Sequence, residues 1–191
     1  MLDRAHGALA RLTRVCAILS GYALLGLALA ICAEIVMRRT VNVSMQGVDE
    51  LGGYVLAGIS GFAFAYGLVE RSHTRIDLIL GRVGPRAQAV LNVATAVVFA
   101  ALALFMAARA QATFAQSWAY GSLAPTPWQT PIWIPQAVWL TGLTLFAVVA
   151  IVLAARAVVA VRRGPRTVNA VAGPLSLEDE LDAGRHGDDA R

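Results

Sequence analysis

Residues 70–80 read ERSHTRIDLIL, a tight charged cluster set between two long apolar runs. The chain around it is 58% hydrophobic and only 15% charged. A soluble domain of this length carries about 25% charged residues. The cluster therefore interrupts a sequence built for lipid. Four apolar stretches, at about residues 15–37, 51–69, 87–108 and 133–161, each reach the roughly 20 residues a helix needs to cross a bilayer. Period-two alternation is absent, which argues against a membrane β-barrel. A chain without barrel patterning satisfies its backbone in hydrocarbon by forming helices. The expected fold is an all-α membrane protein with four transmembrane helices.

The charges assign an orientation. All 16 basic residues are arginine, and the net charge is +4. Eleven arginines fall on one side of the spans: Arg4, Arg11, Arg14, Arg71, Arg75, Arg82, Arg86, Arg156, Arg162, Arg163 and Arg166. Arg38, Arg39 and Arg109 flank the other side. Short arginine-rich flanks stay cytoplasmic, so both termini and the 70–83 loop are expected inside. These arginines read as topology signals, and no nucleic-acid partner is expected. The first apolar run exceeds the roughly 7–15 residues of a signal-peptide core and reads as a retained anchor.

Within the 70–83 loop, Ile76, Ile79, Leu80 and Val83 share one helical face, although Leu78 breaks the pattern. A short helix in the headgroup plane and a simple charged turn both fit. In the first connection, Asn42, Ser44 and Gly47 form turns, and Asp49 and Glu50 open the second span, where negative charge suits a helix N-terminus. Gly53, Ala57, Gly61 and Ala65 recur every four residues along that span, a spacing that admits another helix closely. The third connection is rich in proline and tryptophan, consistent with a loop at the membrane–water boundary. The expected division is residues 1–14 as a cytoplasmic flank, 15–163 as the transmembrane domain, and 164–191 as a flexible acidic cytoplasmic tail.

Candidate chemistry is sparse. Glu34 lies near the end of the first span, and a carboxylate at membrane depth is a functional candidate. It raises the alternative of a self-sufficient small proton-coupled exporter. Arg38 follows four residues later in the favourable acid-to-base order, so a neutralised pair is the simpler reading. None of the three histidines falls in a span, which argues against bis-histidine haem in an electron carrier, and no metal-ligand cluster is visible. Cys16 and Cys32 read as small apolar residues. No catalytic motif appears, so the chain is not expected to be an enzyme.

The remaining polar residues have a recognisable order. Arg38 ends the first span, Asn42 follows in a turn, and Asp49-Glu50 open the second span, which contains Gly61. His73, Arg75 and Asp77 form the signature HTRID, and Pro131, Trp133 and Pro135 lie in TPIWIPQ before the fourth span. In this the chain resembles the small membrane subunit of tripartite ATP-independent periplasmic (TRAP) transporters over about residues 15–163. Arg39 and Gly47-Val48 stand where that family often has aromatic residues. The resemblance implies a non-catalytic scaffold in a bacterial inner membrane. It implies a large permease subunit carrying the substrate and sodium sites, a periplasmic substrate-binding protein, organic-acid uptake by symport, and no cofactor in this chain. Within that frame, Arg38 and Glu50 are expected to pair and fix the first turn, and His73, Arg75 and Asp77 to order the cytoplasmic loop.

Overall fold

A computed structural model of the chain describes residues 2–70 and 83–173. It contains helices α1 (Leu2–Thr40), α2 (Val48–Val69), α3 (Pro85–Tyr120), α4 (Trp133–Val161) and α5 (Pro165–Ala172). The first four are long and apolar enough to cross a membrane. The chain is thus an all-α, multi-pass membrane protein. Among the described residues, extended pairing is limited to one isolated bridge between Leu123 and Pro131.

The helix ends follow local chemistry. Arg38 and Arg39 occupy the last turn of α1, and Asp49 and Glu50 the first turn of α2, both matched to the helix dipole. Pro85 and Pro165 open α3 and α5, where a missing N–H costs nothing. Gly121 ends α3 in the left-handed region at φ 57°, and the N–H of Ser122 bonds back to the carbonyl of Ser117. Thr95, Thr113, Thr141 and Thr144 return their hydroxyls to carbonyls four residues earlier, which satisfies them without a partner helix.

The helices stand in the spatial order α1, α2, α4, α3. Helix α4 packs against both α2 and α3, whereas α1 packs mainly on α2. The interior is made of small residues: Ala65, Ala100, Ala103, Ala147 and Ala150 are buried in one cluster with Phe146. Leu19, Leu25, Leu29, Val98 and Phe105 point outward. This inverted pattern is what lipid selects, because helix association there relies on close van der Waals packing.

Helical structure reaches beyond the four apolar runs in three places. Helix α1 starts at Leu2, so the N-terminal flank continues the first span as helix. Helix α3 runs twelve residues beyond position 108, through Arg109 to Tyr120, because no proline or glycine interrupts it before Gly121. Residues 165–172 are not a loose start to the tail but a packed helix. Val168 of α5 is buried against Ala89 and Ala160. Asn169 Oδ1 accepts from buried Asn92, while its amide donates to the Pro85 carbonyl and to Gln88. Residues 174–191 of the acidic tail lie outside the described residues.

Candidate functional site: a cap fastened by two carboxylates

The α1–α2 connection and the α3–α4 connection meet at the same end of the bundle. Each is held by one buried glutamate. Glu34 on α1 is 6% exposed. Its Oε1 accepts from Arg38 Nη2 at 2.6 Å and from Ser44 Oγ at 2.7 Å, and its Oε2 accepts from the Met45 backbone N–H at 2.6 Å. The chain reaches this arrangement because Asn42 turns in the left-handed region at φ 57°, a conformation asparagine tolerates. The carboxylate thus fastens the outgoing strand of the connection to the last turns of α1.

Glu50, 7% exposed at the start of α2, holds the other connection. It accepts from the hydroxyls of Tyr54 and Thr126. Thr130 approaches the same carboxylate through both its hydroxyl and its backbone amide. Thr126 and Thr130 bracket a turn in which Gln129 N–H bonds to the Thr126 carbonyl. Ala124 N–H to Thr130 and Ile132 N–H to Ser122 close the loop around it. Hydrogen bonds to a charged acceptor contribute about 1.5–3 kcal/mol each when desolvated, so the two glutamates are the chief polar fastenings of this end.

Gly47 joins the two connections directly. Its φ is +115°, and a β-carbon there would lie 2.5 Å from Cε2 of Trp128. Any side chain at position 47 would meet both backbone strain and the indole. Trp118 stacks edge-on against Trp133 at 4.8 Å, with Phe114 beside it, so the aromatic residues tie the end of α3 to the start of α4. The TPIWIPQ segment serves this junction: Trp133 begins α4, Pro135 is buried within it, and Pro131 pairs with Leu123.

The expected Arg38–Glu50 pair does not form. Arg38 is spent on Glu34, four residues away on its own helix, while Glu50 turns to the opposite connection. Asp49 is exposed beside it. Within this chain, only part of the small-residue stripe packs against another helix. Ala65 is fully buried, Ala57 is half-buried, and Gly53 faces open space. Gly61 meets Gly142 of α4 backbone to backbone, and Gly58 packs on Val138. His73, Arg75 and Asp77 lie outside the described residues.

Sequence reasoning missed Thr126, Thr130 and Gly142, and read Ser44 only as a turn former. The hydroxyls are short polar residues in turn-rich segments and carry no spacing that names their acceptor. Gly142 had a signal: it is a lone glycine within the apolar run LTGLTLF.

Comparison with known families agrees with the architecture. The family model described as "Tripartite ATP-independent periplasmic transporters, DctQ component" matches residues 27–160, from within α1 to the end of α4. No curated protein and no solved structure matches the chain. The matched region contains both carboxylate fastenings and the Gly61–Gly142 crossing, and it covers well over half of the sequence. The chain belongs to the DctQ family, the small membrane component of TRAP transporters.

Proposed function

We propose that this chain is a non-catalytic scaffold that supports the large permease subunit during sodium-coupled uptake of an organic acid delivered by a periplasmic binding protein. In this reading the protein sits in the bacterial inner membrane with both termini cytoplasmic, as the arginine distribution favours. The sodium and substrate sites belong to the large subunit, and this chain carries no cofactor.

One observation supports the reading most strongly. The two carboxylates buried within its spans are both spent on fastening connections, with their oxygens engaged by hydroxyl, amide or guanidinium donors. A proton-coupled exporter requires an acidic group that a proton and a cargo reach in turn. Glu34, the candidate for that role, is committed to Arg38, Ser44 and Met45.

Reconstitution tests this. Proteoliposomes with this chain alone are expected to show no solute movement. Sodium-gradient-driven uptake is expected only when the large subunit and the binding protein are added. Exchange by the isolated chain, abolished by Glu34→Gln, would establish the exporter instead.

A further inference from the structure

Four arginines gather where α5 folds back on the ends of α3 and α4. Arg162 and Arg163 follow the last turn of α4, Arg166 lies in the first turn of α5, and Arg86 in that of α3. Asn169 draws the two ends together. It sits one turn along α5 from Arg166, and its amide donates to the carbonyl of Pro85, the neighbour of Arg86. Val168 seats α5 on Ala89 and Ala160. All four arginines are exposed, and none of their guanidiniums makes a hydrogen bond or ion pair among the described residues. Like charges held this close repel one another, and an anionic partner relieves that repulsion.

The helices that carry the patch supply no such partner. No acidic residue occurs between Asp77 and Glu178, so α3, α4 and α5 contain none. Six then fall within twelve positions: Glu178, Asp179, Glu180, Asp182, Asp188 and Asp189, half of the twelve in the whole chain. With Arg185 and Arg191, residues 174–191 carry six negative and two positive charges, a net −4. The patch presents four positive charges.

The chain also leaves α5 beside the patch. Gly173 is buried, and its N–H bonds to the Asn169 carbonyl at 2.8 Å. Glu178 is five residues further on, within about 18 Å of extended chain. A tether this short sets an effective concentration on the order of millimolar and delivers several carboxylates together. Headgroup phosphates must instead be drawn from the bilayer one by one. We propose that the acidic segment 178–189 docks on Arg86, Arg162, Arg163 and Arg166, and that its carboxylates, not lipid phosphates, are the counter-charge of this patch. The contact straps α5 onto the ends of α3 and α4 and weakens as salt screens it.

The test places the full chain in phosphatidylcholine nanodiscs at low salt and digests it with glutamyl endopeptidase, which cuts after Glu178 and Glu180. Each rate is divided by that of a synthetic 174–191 peptide carrying the same tail sequence. The wild-type tail is expected to be cut at least roughly tenfold more slowly than its peptide, as several exposed ion pairs acting together allow. Arg86→Gln, Arg162→Gln, Arg163→Gln and Arg166→Gln combined should restore the peptide rate. So should Asp179→Asn, Asp182→Asn, Asp188→Asn and Asp189→Asn combined, which keep both cleavage sites and leave the helices untouched. Wild-type cleavage at the peptide rate overturns the proposal, as does protection that survives either set of substitutions. Nanodiscs of equal phosphatidylcholine and phosphatidylglycerol decide the occupant. Retained protection supports the tail, and its loss there overturns the proposal by assigning the patch to headgroups.

Discussion

Gly61 and Gly142 bring α2 and α4 into backbone contact: a β-carbon on Gly142 would fall 2.9 Å from the Cα of Gly61. Neither helix can move aside without disturbing Ala65, Phe146 and Ala103 behind the crossing. Gly142→Ala is expected to destabilise the bundle by about 1–3 kcal/mol, the usual cost of overpacking. Gly53→Ala, where nothing lies within 4 Å, should be neutral or stabilising by about 0.5–1 kcal/mol through helix propensity. Thermal unfolding in detergent compares the two. Equal midpoints would mean that the crossing is not tight.

Glu34 and Arg38 form one ion pair but should not be equivalent when removed. The Arg38 side chain is 64% exposed and that of Glu34 7%. Losing Arg38 removes a largely solvated partner, worth about 0–1 kcal/mol. Losing Glu34 removes at once the acceptor shared by the Arg38 guanidinium, the Ser44 hydroxyl and the Met45 amide, and so unfastens the connection from α1. Denaturation of Glu34→Ala and Arg38→Ala should show the glutamate variant to be the less stable.

Glu50 fastens the α3–α4 connection, so Glu50→Ala should release it. Amide hydrogen exchange across residues 121–132 is expected to accelerate by one to two orders of magnitude, roughly the equivalent of 1.5–3 kcal/mol. Exchange in α4 below Gly142 should change little. Gly47→Ala should give a similar loosening by displacing Trp128. The double variant Gly47→Ala, Trp128→Ala is expected to recover only part of it, because the strain at φ +115° remains.

Helix α5 depends on few contacts. Val168→Asp places a charge at a site that is 1% exposed, and Asn169→Ala removes its bonds to Asn92, Pro85 and Gln88. Both should expose residues 165–172 to limited proteolysis while leaving the four long helices resistant. Cleavage within α3 at the same rate would show that α5 is integral to the bundle.

Gln136, in the first turn of α4, has a buried side-chain oxygen without a hydrogen-bond partner. Gln136→Met keeps the shape and removes the unsatisfied acceptor. It is expected to stabilise the isolated chain by about 1 kcal/mol, since burying a lone polar atom is a net cost. A lower unfolding midpoint would show that the amide is satisfied in solution.

The sequence made the four spans legible because membrane helices announce themselves through length and apolarity. Their boundaries were less so. Arg109 looked like an end because charge usually flanks a span, yet backbone continuity to Gly121 was decided by the absence of a breaker. Glu34 and Arg38 were readable as a pair because helix geometry fixes neighbours four residues apart. Thr126 and Thr130 were not, since they lie 76 and 80 positions from the Glu50 they serve, and nothing local encodes that meeting. Val168 and Asn169 were hidden for a different reason: eight residues are too few to show a convincing period before an acidic tail.

The order α1, α2, α4, α3 has a consequence for biosynthesis. Helices leave the ribosome in numerical order, so the third enters the bilayer before its principal neighbour exists. The first two can dock as a hairpin, but the third must wait unaccompanied in lipid until the fourth arrives and joins both sides. A chain stopped after Tyr120 should therefore yield a separate hairpin and a stray helix, targets for membrane quality control.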